Sequence, residues 1–592
     1  MSKFEILKDY FGHKQFRPLQ EEVIDTIVDK KDVLMILPTG GGKSLCYQIP
    51  TLLMEGVTVV ISPLLALMYD QVASLKANGI TAVMLSSMQD AEESQKIEAQ
   101  LRYGKVKLLY VAPERLTNTH FLHILHNLKI NFFVIDEAHC VSEWGHEFRE
   151  NYRKLSLLKA QFPTIPIAAF TATATKTVEE DIIANLGLQS PKRVRGLLFR
   201  ENLTIYARHR IKDGKEQLIN FLKLHDGESG IIYTLSRKST ESVANYLQGK
   251  GIKAYPYHAG LSAEKKNSTY HNFVIDKIQI VVATIAFGMG IDKSNIRFVV
   301  HMTMPKTLEN YYQEIGRAGR DGLESETLLL FSAADIVQQK MFINDLPDTP
   351  YKEHAFNKLE SMVRYTNSER CRHQNIATYF DDCIEPCVDK CDNCTIHEIE
   401  KVNITEATQM LLSTIIRTEQ KFGLHYIIDV LRGSKEKRVL QNGHSNLSVY
   451  GIGKKYTKAQ WLTIGDKLLE LGAVNIGEFK VYKLTLFGAE VLKGMHIILL
   501  KKERLSIKQN VLKYKVPNVD DYNIELYNKL RNLRLQIALH NNMPPYIIFS
   551  DKTLKELSAK QPKNKEEMLE VHGIGEVKFE RYGEKFLGLL NG

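Results

Sequence analysis

Long apolar runs are missing from this chain of 592 residues. The longest, Val57 to Met68, is short and broken by Pro63, so no membrane span is expected. The first residues, MSKFEILKDYF, mix charges with apolar side chains and lack the apolar core and cleavage site of a secretory leader. Cysteine is scarce, with 7 residues, and unevenly placed. Cys46 and Cys140 stand alone, whereas Cys371, Cys383, Cys387, Cys391 and Cys394 share one window. In the reducing compartment that a leaderless chain implies, such a cluster reads as metal ligands rather than disulfides. Strong net charge is absent too: +9, with an isoelectric point near 8.8, points only weakly to a polyanion partner. Apolar and charged contents of 44% and 25% belong to an ordinary globular protein, and the length calls for roughly three to five domains.

Strand-like apolar runs at Val33–Leu37, Val57–Ile61, Leu108–Val111, Phe132–Ile135 and Ile167–Phe170 alternate with amphipathic stretches, the pattern of a parallel sheet covered by helices. The alternation restarts after Leu203, with Gly230–Tyr233, Ile280–Ala283, Phe298–His301 and Thr327–Phe331. An α/β multidomain chain is therefore expected, with lobes at 1–200 and 201–345. A helical, cysteine-bearing segment follows at 346–402, then a helix-rich unit with a hairpin near Lys480–Leu486 at 403–500. A basic linker at 501–519 and a small all-helical bundle at 520–592 complete the chain.

Leu34-Met35-Ile36-Leu37 runs into Pro38-Thr39-Gly40-Gly41-Gly42-Lys43-Ser44 at an expected helix start. Glycines let backbone N–H groups close around phosphates, Lys43 neutralises charge and Ser44 can ligate Mg²⁺, which together make an ATP-type phosphate loop. Leu37 stands where the strict pattern has its first glycine. About 90 residues on, an apolar run ends at Asp136-Glu137: Asp136 suits Mg²⁺ and Glu137 a general base for the attacking water. The same stretch continues CVSEWGHEFRENY, where Trp144, Phe148 and Tyr152 alternate with His146, Glu147 and Arg149 as a surface for a nucleic acid strand. Trp144 and Phe148 sit four apart, which also suits one buried helix face. Within Gln313-Glu314-Ile315-Gly316-Arg317-Ala318-Gly319-Arg320, two arginines three apart are expected on one helical face, reaching an interdomain cleft as charge-stabilising fingers. Cys371, Cys387, Cys391 and Cys394 make a closed tetrahedral Zn²⁺ site, structural rather than catalytic, with Cys383 a free thiol.

These motifs, with Phe16-Arg17-Pro18-Leu19-Gln20, Ala112-Pro113-Glu114-Arg115, Thr171-Ala172-Thr173, Tyr257-His258-Ala259-Gly260-Leu261 and the run from Ala283 to Lys293, occur in an order that resembles the RecQ helicases of superfamily 2 over essentially the whole chain. The resemblance implies two RecA-like lobes, a zinc-binding helical segment, a winged helix and an HRDC bundle. It implies ATP-driven unwinding of DNA with 3′-to-5′ polarity in recombination, repair and replication, ahead of a translocase, scaffold or RNA helicase reading. By position it implies adenine recognition by Arg17 and Gln20, nucleotide contacts from Thr39 and Asp292, a relay through His139, catalytic roles for Gln313, Arg317 and Arg320, and an aromatic-rich loop from Trp144 to Arg149. His13 follows the Phe11-Gly12 pair where the family usually has tyrosine. Lys454 and Lys455, in a glycine-rich turn before a helix, are expected to meet DNA phosphates. The Gly573-Ile574-Gly575 turn suits a phosphate backbone as well, though the near-balanced charge of its unit fits a protein-contact module equally. The expected partners are single-stranded and duplex DNA and a single-stranded-DNA-binding protein, met by a monomer in the bacterial cytoplasm at the nucleoid.

Overall fold

Branched and aromatic residues bury best as strands covered on both faces, and in the computed structural model they do so twice. The structure describes all residues except 87, 88, 90, 143–148, 286, 288–290, 292, 348, 396–399, 477–480, 506–521, 542 and 592. The first sheet contains β1 (Val33–Ile36), β2 (Val57–Ile61), β3 (Ala82–Leu85), β4 (Leu108–Val111), β5 (Ile130–Ile135), β6 (Ile167–Thr171) and β7 (Lys192–Arg195). Its order is β3-β4-β2-β5-β6-β1-β7, and every pairing is parallel. Alternate side chains feed two cores: Phe133 and Ile135 join one, Phe132 and Val134 the other.

The second sheet contains β8 (Leu203–His209), β9 (Ser229–Tyr233), β10 (Ala254–Tyr257), β11 (Ile280–Ala283), β12 (Ile296–His301) and β13 (Ser325–Phe331), in the order β10-β11-β9-β12-β13-β8. It too is parallel and has a core on each face. The strands that no apolar run announced are mostly edges. β7 is Lys-Arg-Val-Arg and β10 carries Pro256, both edge devices that blunt further pairing.

β8 is the other edge of the second sheet, and the cysteine segment covers it. The Ile205 N–H donates to the Lys390 carbonyl at 3.0 Å, Ile205 bridges to Cys391, and the Ala207 N–H donates to Asp392 Oδ2 at 3.2 Å. His373 Nε2 lies 3.0 Å from the Leu203 carbonyl oxygen. Buried Asp392 receives Arg372 Nε and Arg208 Nη1, each at 2.9 Å, so this charge enters the interior fully paired.

The following unit packs helices Thr405–Arg417, Leu424–Leu431 and Lys458–Glu470 around fully buried Trp461, with a short antiparallel pair, β15 (Val474–Ile476) and β16 (Tyr482–Leu484). A second pair joins β14 (Lys401–Asn403) to β17 (Leu499–Lys501). Lys501–Leu505, expected as the start of a linker, is folded: Leu505 enters this core and Arg504 pairs with Glu470 at 2.9 Å. The rest of that linker and the expected wing tip at 477–480 lie outside the described residues. The last unit is helical, from Ile524–His540 to Glu584–Asn591, around its own apolar core. Among the described residues no helix is long and apolar enough to cross a membrane.

Candidate nucleotide site and metal centre

The strand order β5-β6-β1 brings three C-terminal ends side by side, the usual place for a ligand in an open parallel sheet. The loop Leu37–Gly42 follows β1 and runs into the helix Lys43–Leu53. Gly40 and Gly42 hold φ of 79° and 84°, a region that disfavours side chains. Leu37, in the place of a glycine, fills the space under the loop: a Cβ on Gly41 would stand 2.7 Å from its side chain. Its N–H donates to the Thr171 carbonyl at 3.0 Å, which ties the loop to β6. Lys43 Nζ donates to the Leu37 and Pro38 carbonyls at 2.7 and 3.5 Å. Burial lowers the Lys43 pKa, while the carboxylates of Glu137 and Asp136 oppose the shift.

Arg17 and Gln20 both touch this loop. Arg17 Nη1 donates to the Gly40 carbonyl at 2.5 Å; Gln20 Nε2 donates to that of Gly42 at 3.0 Å, and its Oε1 accepts from the Arg17 N–H at 2.8 Å. Here Gln20 is buried and braces the loop.

Asp136 stands at the end of β5, with Ser62 Oγ 3.4 Å from Oδ2 and the Glu137 N–H donating to Oδ1 at 3.0 Å. Burial, then the adjacent Glu137 charge, raises its pKa to about 7, against the pull of Lys43. Glu137 adopts φ 48°, a costly conformation for a residue with a Cβ, and such strain clusters at functional sites. His139 connects the strand ends: its Nδ1 lies 3.3 Å from Glu137 Oε2 and 2.9 Å from Thr171 Oγ1. Thr171 in turn accepts from the Thr173 N–H at 3.3 Å. Ser44 and Asp136 line the same cavity and offer it oxygen donors of the kind Mg²⁺ takes.

The second lobe closes over the loop. Thr39 Oγ1 donates to the Gly316 carbonyl at 3.0 Å. The helix Leu308–Ile315 ends before the arginine pair, which lies in a turn where Gly319 takes φ 62°. The two arginines therefore do not share a helical face, and the turn separates them. Arg320 lines the cavity with Lys43 and Glu137. Arg317 is buried beside Tyr233 within its own lobe. Gln313 is half-buried on the helix and does not line the cavity. Arg200, which no motif marked, clamps the turn: Nη1 donates to the Gly316 carbonyl at 3.0 Å and Nη2 to that of Gly319 at 2.7 Å. Burial brings its pKa down to about 10.

The strand-contact expectation divides. Trp144, His146 and Phe148 lie outside the described residues, as does Asp292. Tyr152, expected at the surface, is fully buried and donates its hydroxyl to the Asp136 carbonyl at 3.1 Å, beneath the acidic pair. Arg149 Nη1 donates to the Pro63 carbonyl at 2.9 Å, which fixes one end of the aromatic stretch to the loop after β2. Lys454 and Lys455 are exposed ahead of the helix Lys458–Glu470, in a turn that buried Gly453 seals by accepting from Trp461 Nε1 at 2.7 Å. The Gly573–Gly575 turn is engaged inside the molecule, since the Gly573 N–H donates to the Gly12 carbonyl at 3.1 Å.

The ligand atoms of Cys371, Cys387, Cys391 and Cys394 lie within 4.8 Å of one another, near the ~3.8 Å sulfur separations of a tetrahedral Zn–S site with bonds of about 2.3 Å. Cys383 is exposed and outside the group. The four thiols fit Zn²⁺, with no position left for a substrate.

Family models match five consecutive segments: DEAD/DEAH box helicase at 17–181, helicase conserved C-terminal domain at 213–322, RecQ zinc-binding at 333–395, RQC domain at 398–509 and HRDC domain at 523–590. The ATP-dependent DNA helicase RecQ of Pasteurella multocida (strain Pm70) is 42% identical over 589 residues, covering 99% of this chain and 93% of the relative. That of Haemophilus influenzae (strain ATCC 51907 / DSM 11121 / KW20 / Rd) is 41% identical, covering 99% and 95%. That of Bacillus subtilis (strain 168) is 40% identical, covering 98% and 97%.

Proposed function

Since the chain belongs to the RecQ family of ATP-dependent DNA helicases, we propose that it unwinds duplex DNA from 3′ to 5′ along the strand it holds, powered by ATP in the cavity between its lobes. The observation that carries this reading is the meeting of the phosphate loop with the arginine turn, Thr39 against Gly316, with Arg320 facing the cavity. Hydrolysis there changes the distance between two rigid sheets, which is how a translocating enzyme converts chemistry into motion.

The triphosphate lies on the N–H groups from Gly40 to Ser44. Lys43 leaves the carbonyls of Leu37 and Pro38 for the phosphate oxygens. Arg17 and Gln20 present the adenine side. Ser44 and Asp136 would hold Mg²⁺, which would neutralise charge on the phosphates. Glu137 orients the attacking water and passes its state through His139 to Thr171. Arg320 meets the charge that develops in the transition state, with Arg317 and Gln313 supporting from the same lobe. Trp144, His146, Phe148 and Arg149 read the strand, and Lys454 and Lys455 hold duplex phosphates. The meeting of loop and arginine turn within one chain supports action as a monomer. A single-stranded-DNA-binding protein at the nucleoid is a fitting partner, because it takes up the strand that unwinding releases.

The test compares ATPase stimulation by single-stranded DNA and RNA and the unwinding of 3′- and 5′-tailed duplexes. Stimulation by DNA and unwinding of the 3′-tailed substrate are expected, and Trp144→Ala should lower the stimulation ratio more than the basal rate. Preference for RNA or for the 5′-tailed duplex overturns the reading.

A further inference from the structure

The C-terminal helical unit sits on the nucleotide cavity itself. Three separate contacts hold it there. At the first, the Gly573 N–H bonds Gly12, and the backbones approach so closely that a Cβ on Gly12 would stand 2.5 Å from the Ile574 nitrogen. The rings of His13 and His572 meet at 4.9 Å, and Lys14 pairs with Glu570. At the second, Arg581 Nη1 donates to the carbonyls of Lys76 and Ala77 at 2.6 and 3.0 Å, satisfying the open C-terminal end of the helix Leu65–Ala77. At the third, Arg534, ion-paired with Asp551 at 2.8 Å, lies 3.8 Å from Asp276 of the second lobe. One unit thus grips both lobes.

The cavity of about 850 Å³ is a shared space. One wall carries Lys43, Asp136 and Arg320; the facing wall carries Lys552, His572 and Lys578 of the C-terminal unit. That volume suits a nucleotide, and the ammonium groups of Lys552 and Lys578, beside Glu556 and Glu570, give the second wall partners for an anion.

We propose that the C-terminal unit is a clasp on the nucleotide cavity: docked, it forms the outer wall and ties the lobes together, and nucleotide leaves only after it lifts. The contacts across this interface are largely polar, as expected of an interdomain surface that opens and closes. The proposal rests on the cavity being the ATP site.

Gly575 offers a clean way to lift the clasp. Its φ of −99° accepts any residue, yet a Cβ there would stand 2.4 Å from the Asp9 carbonyl oxygen, in the backbone of the helix Lys3–Phe11. Gly575→Val therefore pushes the unit off without touching a residue assigned to catalysis. Arg581→Glu, an exposed position, does so at the second contact and leaves the unit's own core intact. In the full-length protein, dissociation of a fluorescent ADP analogue chased by ATP should be at least fivefold faster in both variants than in the parent. An unchanged rate in both overturns the clasp. If small-angle scattering then shows the unit still docked, these contacts do not hold it; if it shows the unit released, the unit does not gate exit. Failure of the parent to bind the analogue, or binding indifferent to Lys43→Ala, would instead remove the nucleotide assignment beneath it.

Discussion

Replacing Asp136 by asparagine should stabilise the nucleotide-free protein while abolishing hydrolysis. The carboxyl lies in a recess beside Glu137, and burial plus that neighbouring charge raises its pKa from an ordinary 3.8 to about 7. Below about pH 4 the carboxyl is protonated in both folded and unfolded chains, so it contributes no difference. Between about pH 4 and 7 the unfolded chain releases the proton and the folded one keeps it. The folded state then binds more protons, and its stability falls as pH rises. Above pH 7 the loss is complete, with a ceiling of roughly 4 kcal/mol at about 1.36 kcal/mol per pH unit; Asp136 is partly exposed, and solvent screening reduces this to about 2 kcal/mol. Asparagine mimics the protonated form and escapes this loss. Denaturant midpoints of the first-lobe transition, measured with EDTA at pH 5 and pH 8, should show a variant advantage that is larger at pH 8. Mg²⁺ with ATP should then stabilise the parent and not the variant. A variant no more stable than the parent at pH 8, or an equal gap at both pH values, would refute the argument that the site stores this cost until cation and nucleotide arrive.

Arg200→Lys should lower DNA-stimulated kcat about tenfold or more, because a single ammonium cannot hold the Gly316 and Gly319 carbonyls together. KM for ATP should change much less, and a shift confined to KM would place Arg200 in binding rather than in positioning Arg320. Cys391→Ser should lose stoichiometric zinc by elemental analysis and melt earlier, whereas Cys383→Ser should keep the metal. Equal zinc in the two proteins would contradict the four-sulfur assignment.

What could be read along the chain was local. The phosphate loop and the Asp136-Glu137 pair after an apolar strand each carry their chemistry within a few residues, and the fold gathers the more widely spaced Cys371, Cys387, Cys391 and Cys394 as expected. Tyr152 could not be placed in this way, because an aromatic four residues past Phe148 suits a strand-binding surface and a buried prop equally well. For the arginine pair, spacing alone says nothing about where a helix stops, and the shared helical face does not form. The helix stops at Ile315, and the turn through Gly316 and Gly319 sends Arg320 to the cavity while Arg317 stays inside the lobe. Arg200 left no trace, since its partners are backbone carbonyls that any sequence supplies. The docking of Gly573 on Gly12 joins surfaces from opposite ends of the chain, and a close approach of two glycines reads locally as two ordinary turns.

The cover on β8 has a consequence for biosynthesis. His373, which seals the start of that strand at Leu203, is made 170 residues later. At about 5–20 residues per second, the strand waits roughly ten to thirty seconds on the ribosome with its outer row of peptide groups unpaired. Covering it then depends on a loop that takes its shape from bound metal. Zinc supply therefore sets how long each nascent chain offers a ready template to its neighbours on a polysome. In a zinc-starved cell the first symptom should be insoluble protein rather than a slow motor.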